Sequence, residues 1–221
     1  MRSSILRAVN STLAALLPEE VRERLRAAKA TWNDARDWDA YRRAPTLPPP
    51  HVIKTRAVLD HAQRHRLEVL IETGTFEGEM ARKCREAFGA IHTIELDAKL
   101  AERAARRLGR WDWIHVHTGD SATLLPALLE RIESPILFWL DGHYSGEGTA
   151  HGAKETPLHE EIEAIAARGR AGDVVLVDDA RLLGTGAYPT AEEIRSRLSR
   201  AHAGYRLSLS DDILRWEPAR A

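Results

Sequence analysis

The segment Glu72-Thr73-Gly74-Thr75-Phe76-Glu77-Gly78 follows the apolar run Val69-Leu70-Ile71 and precedes a stretch with helical spacing. Such a pattern predicts a strand, a tight glycine turn and a helix start, and glycine lets backbone approach a ligand closely because no Cβ intervenes. A nucleotide-like cofactor is the chemistry this suits, with Glu72, Gly74, Thr75, Phe76 and Gly78 as candidate residues. Position 76 is Phe, so the dinucleotide fingerprint Gly-x-Gly-x-x-Gly is absent. Further on, Ile91-His92-Thr93-Ile94-Glu95 reads as a second strand ending in acid, and Glu95 is placed to accept hydrogen bonds from both hydroxyls of a ribose. Later strands also end in carboxylates, Asp141 after Ile136-Leu137-Phe138-Trp139-Leu140 and Asp178-Asp179 after Val174-Val175-Leu176-Val177. Ligands of open α/β sheets bind beyond the carboxyl ends of the strands, so these acids should converge near the glycine turn. Crowded like charges repel, and a hard divalent cation such as Mg²⁺ relieves the repulsion with oxygen ligands. Asp141, Asp178 and Asp179 are therefore the candidate metal ligands.

A regular alternation of elements positions these residues. The pattern predicts helices over 53–66, 78–88, 98–109, 121–132, 156–168 and 190–201, with strands over 69–73, 91–96, 113–118, 135–140 and 173–178. The continuous apolar runs suit parallel strands covered on both faces. The expected fold class is α/β, a doubly wound and mostly parallel sheet, which residues 205–217 can extend as a hairpin around Ser210, Asp211 and Asp212. Residues 1–50 read as an N-terminal helical arm with a proline-rich linker from Pro45 to Pro50, and residues 51–221 as the main domain. Within the arm Ile5, Leu6, Val9, Leu13, Leu16 and Leu17 keep helical spacing, but Arg7, Asn10, Ser11 and Thr12 interrupt the apolar surface. Neither a membrane span nor a signal peptide fits that pattern. Packing on its own fold or on a second copy, as a homodimer, suits it better than a peripheral membrane contact. His51 and Lys54 open the first helix of the main domain, where a solvent-facing position is expected rather than one in the cleft.

A chain of 221 residues that is 43% hydrophobic can bury a sizeable core. Its formal net charge of -1 provides no global field for nucleic acid, and none is expected as partner. Cys84 is the only cysteine, which excludes an internal disulfide and a cysteine metal cluster. A cytoplasmic setting is the simplest expectation, with membrane association through the arm as the variant.

The acidic-x-Gly-x-x-x-Gly loop at Glu72, Gly74 and Gly78, followed by Glu95 at the end of strand two, resembles the class I S-adenosylmethionine-dependent methyltransferases. The resemblance implies a seven-stranded Rossmann-like sheet with an antiparallel last strand, and S-adenosylmethionine as cofactor. It also implies an adenine contact just after strand three, here Asp120 with help from Ser121, although both residues suit helix capping equally. Asp141 with Asp178-Asp179 is similar to the metal-dependent small-molecule O-methyltransferases of the catechol type and of the macrolide and sugar-tailoring type. In these, an Asp after strand four and Asp-Asp or Asp-Asn after strand five bind the metal that chelates a substrate diol. On that likeness Asp141 serves metal, cofactor and catalysis together, and the acceptor is a hydroxylated small molecule or saccharide. The catechol type carries a Lys three residues beyond its metal Asp, but here that position is Tyr144. His143 is the expected substitute base, since imidazole titrates near neutral pH. The loop 144–157, with Gly146, Gly148, Gly152, His151 and Lys154, reads as a lid or sugar-contacting segment.

Two alternatives share the fold: methyl transfer without metal or hydroxylation, and a non-catalytic scaffold that keeps the cofactor pocket. An NAD-dependent dehydrogenase is disfavoured, because the chain has neither the glycine fingerprint nor a Tyr-x-x-x-Lys array.

Overall fold

A computed structural model describes residues 18–141 and 156–219. The chain divides into two units, Met1–Thr46 and Leu47–Ala221. In the first, α1 (Glu19–Arg43) is a 25-residue helix that ends at Arg42 and Arg43, cations that complement the negative end of the helix dipole. The apolar positions from Ile5 to Leu17 lie outside the described residues. Among the described residues no helix is long and apolar enough to cross a membrane.

The second unit runs α2 (His51–His65), β1 (Val69–Thr73), α3 (Glu79–Cys84), β2 (Ala90–Glu95), α4 (Ala98–Leu108), β3 (Ile114–Thr118), α5 (Ser121–Leu129) and β4 (Ile136–Leu140). It continues through α6 (Leu158–Arg168), β5 (Val174–Val177), a 3-10 turn (Ala180–Leu182), α7 (Ala191–Ser199), β6 (Tyr205–Ser210) and β7 (Ile213–Pro218). The seven strands lie in the order β3-β2-β1-β4-β5-β7-β6. The first five are parallel, and β7 runs antiparallel between β5 and β6. The expected doubly wound sheet and its antiparallel closing strand are both present.

Every residue of β1, β4 and β5 is buried, as central strands with helices on both faces require. Alternate side chains feed two cores. Leu70, Ile91, Leu137 and Leu176 meet Val58, Met80 and Leu108 from α2, α3 and α4. Ile71, Ile94, Phe138 and Val175 meet Leu125, Ile162 and Ile194 from α5, α6 and α7. At Gly78 the backbone takes φ +69°, and a Cβ there would lie 2.8 Å from Leu108 Cδ1, so glycine is what lets the start of α3 press against α4.

The helix expected over 78–88 is shorter. α3 stops at Cys84 because Ala87 N–H turns back to Cys84 O at 2.9 Å, while Gly89 and Ala90 N–H both donate to Glu68 O. Those bonds draw the chain into β2 before another helical turn can form.

Two ion clusters, each built on a buried carboxylate, fasten the frame. Arg168, at the end of α6, donates from Nε to Asp173 Oδ2 at 2.9 Å, from Nη1 to the carbonyls of Leu129 and Ile132, and from Nη2 to that of Ser134. Asp173 Oδ1 in turn accepts Ile136 N–H at 2.8 Å, so one pair ties the end of α5 to the starts of β4 and β5. On the other face Glu217 of β7 takes Arg64 Nη1 at 3.1 Å, His65 Nε2 at 2.8 Å and Arg206 Nη2 at 2.7 Å. Burial pushes the Glu217 carboxyl up, but hydrogen bonds from His65 and Arg206, with His61 and Arg64 nearby, hold it at about 2.

Candidate active site

The amides of the glycine turn, expected to face a ligand, point inward. Gly74 and Thr75 N–H donate to Ile94 O at 2.9 and 3.3 Å, and Gly78 N–H donates to Thr75 O at 2.8 Å. Phe76 N–H donates to Glu95 Oε2 at 2.7 Å, and Asp97 N–H to Glu95 Oε1 at 3.0 Å. The turn is thereby stitched to the end of β2, and each Glu95 oxygen holds one backbone donor with lone-pair capacity left for hydroxyl donors. Phe76 sits at φ 47° and is 56% exposed. A bulky residue in the left-handed region is strained, and the hydrogen bond that the Phe76 amide donates to Glu95 offsets part of that cost.

Beneath the turn lies a polar chain. Thr93 Oγ1 donates to Glu72 Oε2 at 2.7 Å and lies 2.6 Å from Thr75 Oγ1, all three residues being buried. Glu72 and Thr75 thus brace the turn from inside. Burial pushes the Glu72 carboxyl up to about 8, against the lowering effect of the Thr93 hydrogen bond. The folded chain keeps this proton from the ordinary value of 4.5 up to about 8, whereas the unfolded chain loses it. The unfolded state therefore binds fewer protons across that window, and stability falls as pH rises through it, by on the order of a few kcal/mol. Glu72→Gln, which keeps shape without the charge, should flatten the decline. Urea denaturation at acidic, neutral and alkaline pH measures this, and parallel curves for wild type and variant would show that Glu72 does not carry it.

After β3, Asp120 caps α5 by accepting Ala122 N–H at 3.0 Å. Ser121 Oγ donates to Glu161 Oε1 of α6 at 2.6 Å in a buried contact, so the capping position and its neighbour are both engaged with protein. Burial pushes Glu161 up to about 7, with the Ser121 hydrogen bond opposing.

The carboxylates after β4 and β5 come together. Asp141 N–H donates to Thr73 O at 3.1 Å and Asp178 N–H to Leu140 O at 3.0 Å, which extends the ladders past the strand ends and sets the two residues side by side. Lys54, from the first turn of α2, enters the cluster: Nζ pairs with Asp178 Oδ2 and lies 3.5 Å from Asp179 Oδ1, with only 15% of the side chain exposed. This corrects the solvent-facing position expected for Lys54. Burial lowers its proton affinity, but Asp178, Asp141 and Asp179 together raise it above the ordinary lysine value. Asp141 is held well above the usual carboxylate range by burial and by Asp178, with Lys54 opposing. Burial likewise raises Asp178, again against Lys54. Asp179 Oδ1 accepts Arg181 Nη1 at 2.7 Å, and Arg181 also pairs with Asp212 in the β6–β7 turn. Asp178 Oδ1 is buried and, among the described residues, has no hydrogen-bond partner. His143 and residues 144–155 of the expected lid lie outside the described residues.

Among the described residues no group of three or more His, Cys, Asp or Glu is arranged to hold a metal ion. The physical reason is Lys54: its ammonium already lies on oxygens of Asp178 and Asp179, the carboxylates that would hold a divalent cation, and Arg181 takes another approach to Asp179. Asp141, Asp178 and Asp179 are brought together, but in this arrangement they do not fit a metal.

The same chain course occurs in solved structures. The O-methyltransferase TomG from Streptomyces achromogenes, involved in tomaymycin synthesis and in complex with SAM, is 18% identical, with 85% of this chain and 89% of that one covered at a TM-score of 0.56. The fold is that of the class I methyltransferases. The SAH-bound methyltransferase PaMTH1 from Podospora anserina has the same methyltransferase fold, with 16% identity over 93% of this chain and 99% of that one and a TM-score of 0.53. So does the Bacillus cereus O-methyltransferase in complex with SAH, with 16% identity, 96% and 97% covered and a TM-score of 0.52. No protein-family model matches the sequence, and no curated protein matches it.

Within this methyltransferase fold, Lys54, Arg181 and Glu161 contact the candidate residues Asp178, Asp179 and Ser121, and strand-end spacing alone does not reveal them. A signal existed for Glu161. Leu158, Glu161, Ile162 and Ile165 form the buried stripe of α6, so an acid occupies a core position.

Proposed function

We propose that the protein is an S-adenosylmethionine-dependent O-methyltransferase acting on a hydroxylated small molecule or saccharide. The observation that carries this reading is Glu95, whose carboxylate the Phe76 and Asp97 amides hold in place beside the glycine turn. The similar structures support it, being O-methyltransferases in complex with SAM or SAH. When bound, S-adenosylmethionine supplies an electrophilic methyl: the acceptor oxygen attacks that carbon while the C–S bond breaks and its electron pair stays on sulfur. Glu95 receives the ribose hydroxyls, and Asp120 offers the adenine amine the oxygen that does not cap α5. Asp141, whose carboxyl burial and Asp178 hold well above the usual range, takes the acceptor proton. The buried Asp178 Oδ1 is available to orient the acceptor hydroxyl before transfer. His143 is the second candidate base. The expected metal at Asp141, Asp178 and Asp179 is not part of this reading, because Lys54 occupies its place.

Labelled S-adenosylmethionine offered with catechols, sugars and hydroxylated polyketides should yield O-methylated product and S-adenosylhomocysteine in equal amounts. Asp141→Asn should lower turnover by about 100-fold with cofactor binding retained. Wild-type protein that binds neither S-adenosylmethionine nor S-adenosylhomocysteine would leave only the fold standing.

A further inference from the structure

We infer that Lys54 is the resident cation of the carboxylate cluster and that its ammonium, in place of a divalent metal, compensates Asp141, Asp178 and Asp179 and stabilises the acceptor oxygen as its proton leaves, before the methyl group is transferred. The position of Lys54 is built into the fold. It stands in the first turn of α2, after Pro50, among the buried residues Ile53, Thr55 and Val58, so the helix presents it to the strand ends. Its partner Asp178 has a side chain that is 0% exposed, with one oxygen on Lys54 and the other without a partner among the described residues. An ammonium is a compact charge with three donors. Here Nζ hydrogen-bonds Asp178 and lies 3.5 Å from Asp179, which leaves donor capacity for an oxygen arriving beside the buried Oδ1 of Asp178. A metal of this kind holds its substrate by chelation, which needs two adjacent oxygens on the acceptor. An ammonium donor needs one. Resting on the O-methyltransferase reading, the acceptor class therefore extends to compounds with a single reactive hydroxyl.

The cation assignment is tested without turnover, by titrating the full-length protein with Mn²⁺ under electron paramagnetic resonance and with S-adenosylhomocysteine by calorimetry. Wild type should bind no Mn²⁺ up to on the order of 1 mM and melt at the same temperature with and without chelator. Lys54→Met leaves the carboxylates uncompensated and should bind Mn²⁺ at least about tenfold more tightly than wild type, a gain removed by adding Asp178→Asn. Lys54→Arg should keep the indifference of wild type. Micromolar Mn²⁺ binding by wild type that Asp178→Asn abolishes would overturn the assignment, as would a folded Lys54→Met with no gain. Should Lys54→Met fail to melt cooperatively, wild type and Lys54→Arg decide alone: indifference in both supports the assignment, and binding by either overturns it. Loss of S-adenosylhomocysteine binding in wild type would instead sink the methyltransferase reading and leave the Mn²⁺ result intact.

Discussion

Glu95→Ala is expected to weaken S-adenosylhomocysteine binding by about 100-fold or more in calorimetry. The carboxylate would accept two ribose hydroxyls, and hydrogen bonds to a charged group contribute about 1.5–3 kcal/mol each. Two of them sum to about 3–6 kcal/mol, beyond two decades in affinity. The substitution also releases the amides of Phe76 and Asp97, so the turn loses the bond that offsets the strain at Phe76. Glu95→Gln separates the two contributions. It keeps one acceptor oxygen but turns an NH₂ toward a backbone donor, and about a tenfold loss is expected. Binding by Glu95→Ala within threefold of wild type would show that this carboxylate does not hold the ribose.

Arg168→Ala is expected to cost about 3–5 kcal/mol of folding stability and to lower the melting temperature by about 10 °C. The guanidinium serves one carboxylate and three carbonyls at once, with 7% of its side chain exposed, and its partner Asp173 is 0% exposed. Removing it strands a buried carboxylate that still accepts only Ile136 N–H. Arg168→Lys should recover little, because an ammonium cannot span the fork of directions that the guanidinium does. In urea denaturation, the double variant Arg168→Ala with Asp173→Asn should lose less than the two single losses added together, since the stranded charge is gone. A loss below about 1 kcal/mol in Arg168→Ala would mean that the pair is a spectator of the fold.

The strands were legible because their signal is local. β1 and β4 are unbroken apolar runs between breakers, and the structure has them at Val69–Thr73 and Ile136–Leu140, within one residue of expectation. From the strand ends, the general rule for open sheets was enough to bring Glu95, Asp141 and Asp178 to one edge. Lys54 was illegible for the opposite reason. A lysine in the first turn of a helix carries no local mark of burial, and the carboxylate that claims it is 124 residues away. The orientation of the turn amides was equally hidden, because it depends on the left-handed backbone of Phe76, an unfavourable state for that residue type. Ser121 illustrates a third kind of miss. Its hydroxyl is drawn to Glu161, whose place in an apolar stripe was visible in the sequence but only became meaningful once α5 and α6 were seen to pack together.

The helix α2 has anchors of opposite sign near its two ends. Close to its start a cation, Lys54, is gripped by carboxylates, and at its finish a carboxylate, Glu217, is gripped by Arg64 and His65. From Lys54 to His65 is about three helical turns, which returns the two side chains to nearly the same bearing around the axis. The helix thus acts as a ruler with a fixed phase. One residue gained or lost between the anchors would rotate one of them by about 100° relative to the other, and no side-chain adjustment spans that angle. Substitutions on its outward face leave the phase untouched. The number of residues in this helix is therefore under a tighter constraint than most of the letters that fill it.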